Sequence, residues 1–190
     1  MLCWSRPAAI SRQHWATGYL LFVLSLTGCA TSPTAPSKSS IQPPPDELQQ
    51  WSVVGKAAIT HAGDTDTVNL TWERLSQTRD RVTVSGPLGA GLRIIERQAN
   101  ALHEYRGDAL EPLQLAQLPA AQAALLTSLP VEALGDALLR GRAPNDDWQA
   151  TVNDWTDSER WRVPRKLTFQ SHNLTLRIVL LRWTLPEVAR

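Results

Sequence analysis

Residues 82–95 read VTVSGPLGAGLRII. Apolar and polar residues alternate on both sides of a turn that contains Gly86, Pro87, Gly89 and Gly91. Alternation interrupted by Gly and Pro is the pattern of an antiparallel hairpin. One residue does not fit. Leu88 occupies the tip, where water favours small or polar side chains and an apolar one gains little. It either folds back to cap the end of the sheet or projects outward for a purpose.

Outward from this hairpin the first half of the chain keeps a two-residue period. Trp51 and Val53 lead into KAAIT, Val68, Leu70 and Trp72 alternate in TVNLTWE, and LRIIERQ and ALHEY follow the turn. Strands joined by short turns predict an antiparallel meander. The middle, residues 111–141, changes to Ala, Leu and Gln punctuated by Pro119 and Pro130. Proline suits the first turn of a helix, so each proline predicts the start of a short one. In the second helix Val131, Leu134 and Leu138 share a face, and Gly141 supplies the stop. The apolar character of this region fits either plain burial or a cover over a cavity.

The last third returns to strands, from Trp148 to Trp155, in RWRVPRKLTFQ and in NLTLRIVLLRWTL. In the final run Leu174, Leu176, Ile178 and Leu180 alternate with Val179, Leu181, Trp183 and Leu185. A strand apolar on both faces predicts cover on both sides. The expected fold is mainly antiparallel β with short helices, a sheet curled around an apolar interior. No internal repeat is present.

The N-terminus adds an address. Arg6, Arg12 and His14 precede GYLLFVLSLTG, an apolar run too short to span a bilayer as a helix and suited to a signal peptide. It ends in Leu26-Thr27-Gly28-Cys29, which resembles the lipobox of bacterial lipoproteins; the resemblance implies removal of residues 1–28 and lipidation of Cys29. Cys3 would leave with the signal, so no disulfide partner remains for Cys29. By resemblance to lipoprotein sorting signals, Ala30, a residue other than aspartate, implies sorting to the outer membrane. Residues 30–46, ATSPTAPSKSSIQPPPD, contain five prolines and four serines and no aromatic residue. Such a segment buries too little to order itself, and at about 3.1 Å per residue it reaches roughly 50 Å. The expected plan is a signal over 1–28, a lipidated Cys29 with a tether to residue 46, and one domain over 47–190.

Composition excludes several functions. At 43% hydrophobic, 19% charged and a net charge of +1 over 190 residues, nothing points to nucleic acid. His61, His103 and His172 are isolated from one another and from cysteine, so no metal site is expected. There is no G-x-S-x-G or S-x-x-K pattern, and no catalytic residue is assigned. Gly86, Gly89 and Gly91 do not form a nucleotide loop, because Pro87 interrupts them and a strand follows. No enzyme activity and no cofactor are expected. The six tryptophans after residue 28 (Trp51, Trp72, Trp148, Trp155, Trp161 and Trp183) suit either core packing or the wall of a lipid cavity.

Taken in order, WSVVGKAAI from Trp51, NLTW ending at Trp72, SGPLGAG around Leu88, LPVEAL from Leu129, RGR at Arg140–Arg142, VPRKL from Val163 and LRIVLLRWTL from Leu176 resemble the LolB family of outer-membrane lipoproteins. The chain departs from the family pattern at Ala137 and Leu138, where a tryptophan is usual, and at Pro144, one residue late. The resemblance implies an incomplete β-barrel around a hydrophobic cavity, with the helices as lid or plug. It implies receipt of acylated lipoproteins from a LolA-like periplasmic carrier and their insertion into outer-membrane phospholipid. It further implies a monomer anchored in the outer membrane with its domain in the periplasm. Candidate cavity residues are Trp51, Leu70, Trp72, Val84, Ile94, Leu138, Ile178 and Trp183, and the candidate insertion loop is Gly86, Pro87, Leu88 and Gly89. The alternative is a structural or envelope-assembly lipoprotein with no transfer activity.

Overall fold

The computed structural model of the chain describes residues 41–44, 48–158 and 160–186. Cys29 and the signal segment lie outside the described residues. Nine strands form one sheet: β1 (Trp51–His61), β2 (Asp64–Ser76), β3 (Arg79–Ser85), β4 (Arg93–Gln98), β5 (Ala101–Arg106), β6 (Ala109–Pro112), β7 (Gln149–Ser158), β8 (Trp161–Gln170) and β9 (Leu174–Thr184). The spatial order is β6-β5-β4-β3-β2-β1-β9-β8-β7, with every neighbouring pair of strands antiparallel. The first five strands form the expected meander, and β6 extends it by one. The chain then leaves through α1 (Ala120–Ser128) and α2 (Val131–Arg140) and returns as β7–β8–β9, with β9 closing onto β1. Strands β6 and β7 remain as free edges, so the barrel is incomplete. β6 begins two residues before the region expected to be helical, and pairs with β5.

Both helices start where proline fixes the backbone. Pro119 and Pro130 are their N-cap residues, with φ of −52° and −58°. α2 ends at Gly141, whose φ of 65° is left-handed and whose N–H donates to the Ala137 carbonyl at 2.7 Å. The two helices lay Leu125, Leu134, Leu138 and Leu139 against Trp72, Leu167, Phe169, Leu176 and Ile178 of the sheet, and all these side chains are buried. Burying each Leu, Ile or Phe side chain of this layer contributes about 1.5–3 kcal/mol.

The structure corrects the expectation for β9. Only one of its faces is covered over most of its length: Val179 and Leu181 are 37% and 61% exposed. Pairing to β1 runs Val54↔Arg182 and then Gly55↔Leu180, so Leu181 is an extra residue in a bulge. The bulge reverses the alternation, and Trp183 and Leu185 join Leu180 on the buried side. Gly55 allows this close approach, since a Cβ there would lie 2.5 Å from the Val179 carbonyl oxygen. One described residue of the expected tether touches the sheet. Gln42 donates its N–H to the Arg160 carbonyl at 3.0 Å and accepts from Arg162 N–H at 2.8 Å, a parallel bridge beside β8.

Candidate functional site

Between the sheet and both helices lies an apolar cavity of about 80 Å³. Alternate residues of the meander face it: Ala57 and Ile59 of β1, Val68, Leu70 and Trp72 of β2, Val82 and Val84 of β3, and Ile95 of β4. Leu176 and Ile178 of β9 complete the floor, while Leu125 and Leu126 of α1 and Val131, Leu134 and Leu138 of α2 form the roof. Gln122 is the one polar residue among them.

Five of the eight sequence candidates line this cavity: Leu70, Trp72, Val84, Leu138 and Ile178. The other three do not. Ile94 pairs with Thr83, whereas Ile95 pairs with Val82, so the pleat turns Ile95 inward and Ile94 to the opposite face. Two adjacent isoleucines give no sign of which one faces in. Trp51 and Trp183 are buried beyond the cavity. Trp51 stacks on Trp72 with ring centres 6.3 Å apart and meets Trp183 at 5.5 Å, and Trp183 Nε1 donates to the Pro164 carbonyl at 2.9 Å. These rings plug one end of the interior.

Beside that plug is a group of buried charges. Asp80 is fully buried there, and Arg74 and Arg97 nearly so; Glu96, also fully buried, lies on the opposite face of β4. Asp80 Oδ1 accepts from Arg74 Nε at 2.9 Å and from Trp72 Nε1 at 3.1 Å, while its Oδ2 accepts from Arg97 Nε at 2.7 Å. Arg74 continues to the Asp136 carboxylate and the Glu132 carbonyl of α2. Burial works against the Arg74 cation, but Asp80 and Asp136 outweigh it and hold the guanidinium above its ordinary range. Burial likewise opposes the charge on Glu96. Hydrogen bonds from Gln98, Arg79, Arg81 and Tyr105 prevail and lower its carboxyl to about 2. A sequence signal was present: Arg74, Asp80 and Arg97 interrupt otherwise apolar alternation at inward positions. Their partners, however, come from three strands and a helix.

At the other end of the β3–β4 hairpin is the loop containing Leu88. Gly86 N–H donates to Ala90 O at 2.7 Å, and Asn69 Nδ2 donates to Gly86 O at 3.0 Å, which closes and anchors the loop root. Pro87–Gly89 form a single 3₁₀ turn, and Leu88 has φ 59° and ψ 21°. That left-handed conformation costs a non-glycine residue roughly 1–2 kcal/mol. Leu88 is 105% exposed, so it does not fold back onto the sheet. Leu92, which the sequence reading passed over, is 62% exposed on the same loop.

The family model described as Outer membrane lipoprotein LolB matches residues 49–183. Curated relatives include the outer-membrane lipoprotein LolB of Chromohalobacter salexigens, 26% identical, with 94% of each chain covered. The outer-membrane lipoprotein LolB of Halorhodospira halophila is 26% identical over 73% of this chain and 77% of its own length. Among solved structures, a LolA superfamily protein from Nitrosomonas europaea aligns with a TM-score of 0.50 at 11% identity, over 80% of this chain and 91% of that one. That likeness concerns the fold alone.

Proposed function

The chain belongs to the LolB family of outer-membrane lipoproteins, and from that premise we propose that it accepts acylated lipoproteins from a soluble LolA-like carrier and inserts them into the outer membrane. The observation that carries this reading is an apolar cavity, roofed by two helices, next to a rigid loop that holds a leucine out in water. Lipidation of Cys29 anchors the protein, and the domain faces the periplasm.

Acyl chains lose about 0.8 kcal/mol per exposed CH₂, so three long chains do not cross water free. The cargo passes directly from one apolar cavity to another. The direction of this step follows from affinity: this cavity binds the chains more tightly than the carrier does. The cavity of about 80 Å³, open along one edge, is smaller than the ~150 Å³ that accommodates a benzene ring. Loading therefore requires a helix to move. α2 is bound to the buried Arg74, whereas the polar tie between α1 and the sheet is one hydrogen bond, Gln122 Nε2 to Asp66 Oδ2 at 2.6 Å. α1 is the part that gives way.

Leu88 serves the last step. Its side chain enters the head-group layer and opens a path from cavity to bilayer, and Gly86, Pro87 and Gly89 hold it in place. The test is a transfer assay with carrier preloaded with an acylated lipoprotein. Wild-type protein takes the cargo and delivers it to vesicles. Leu88→Glu, with stability unchanged to within about 0.5 kcal/mol, takes the cargo and retains it. Cargo that stays on the carrier with wild-type protein present overturns the proposal in favour of a structural lipoprotein.

A further inference from the structure

The apolar cavity does not end at an apolar wall. Val68, Val84 and Gln122 line it and also line a second hollow of about 380 Å³. This groove runs between the Leu88 loop, at Gly86, Ala90 and Gly91, and the segment that leads into α1, at Gln117 and Pro119. Its walls carry Asp66, Ser85, Arg93 and Gln122. A chamber for hydrocarbon and a polar groove thus share an edge, the arrangement an amphiphile requires.

The charge of the groove limits which amphiphile fits. Arg93 is already engaged: Nη1 donates to Glu104 Oε1 at 2.7 Å and Nη2 to the Gln117 carbonyl at 3.0 Å. Asp66 forms no ion pair among the described residues, and its partner is the neutral Gln122 amide. The groove therefore presents a carboxylate, a hydroxyl and neutral amides beside the Arg93 guanidinium, whose charge is balanced by Glu104. A phospholipid with its chains in the cavity would bring a phosphate next to Asp66, with Arg93, already paired to Glu104, as the cation left to offset it. An acylated protein N-terminus brings esters and amides instead. These are neutral, and their N–H groups can donate to Asp66 and Gln122.

We propose that this groove seats the polar head of acylated cargo, and that Asp66 excludes phosphate-bearing lipids from a cavity that would otherwise take any acyl chain. The inference rests on the cavity being the acyl site. Discrimination of this kind arises from a repulsive group aimed at the competitor. In a membrane made of phospholipid, it keeps the protein available for cargo.

The test uses the full lipidated chain in a neutral detergent, with a fluorescent fatty-acid methyl ester bound in the cavity. The probe is displaced either by an uncharged triacylated dipeptide amide or by phosphatidylglycerol. Wild-type protein prefers the lipopeptide. Asp66→Asn, which keeps an oxygen for Gln122, reduces that preference about tenfold by strengthening phosphatidylglycerol binding, with the probe affinity unchanged. Asp66→Lys reduces it further; if that variant loses the probe, Asp66→Asn decides alone. An unchanged preference in Asp66→Asn overturns the proposal and leaves the acyl site standing. Failure of wild-type protein to bind the probe removes the acyl site itself, and the proposal with it.

Discussion

At one end of the β3–β4 hairpin, Asp80 and Arg97 are buried and joined at 2.6–2.7 Å. At the other, Leu88 is fully exposed in a conformation leucine rarely adopts. Ordinary folding preferences place charge outside and leucine inside, and this hairpin reverses both. Charge at the root rigidifies, because each buried group has its partner and no other arrangement satisfies them all. Strain at the tip persists because the Gly86–Ala90 and Asn69–Gly86 hydrogen bonds hold the loop around it. A stiff hairpin with a wetted apolar tip can push against a bilayer, whereas a mobile loop would bend.

The largest effect is expected from breaking the root. Asp80→Ala leaves Arg74 and Arg97 buried without their shared carboxylate, which costs about 3–5 kcal/mol and shows as a large drop in the urea midpoint. Acid weakens the same end more gradually. The Glu96 carboxyl is lower in the folded protein, at about 2, than in the unfolded chain, so its contribution is complete above about pH 4.5 and fades as pH falls towards 2. A stability profile through this range falls steeply for wild-type protein and less so for Glu96→Gln. Next comes the helix resting on the root. A Cβ at Gly135 meets the Arg74 guanidinium and the Trp72 ring, so Gly135→Ala costs about 1–3 kcal/mol by overpacking. The smallest effect belongs to the tip. Leu88→Gly removes left-handed strain and raises stability by up to about 1 kcal/mol while abolishing insertion. If Leu88→Gly destabilises the protein, the comparison between root and tip fails.

How far the sequence could be read depended on distance along the chain. The Gly-Pro turn, the proline helix starts and the Gly141 stop were all legible, since each depends on the backbone freedom of one residue or a short stretch. The cavity was half legible. Val68, Leu70, Trp72, Val82 and Val84 alternate cleanly in sequence and do face inward. Ile94 and Ile95 are both apolar, and only pairing with Val82 turns the second of them in.

By itself the sequence determined an antiparallel, helix-interrupted β-fold with a leucine at the tip of a Gly-Pro turn, because period, proline and glycine act over a few residues. Tertiary structure decided the rest. It chose the bulge at Leu181 that returns Trp183 to the interior, the ion cluster that draws Arg74, Asp80, Arg97 and Asp136 together, and the groove where Asp66 meets Gln122. Each depends on groups that are distant in the chain and adjacent only once the strands and helices have packed.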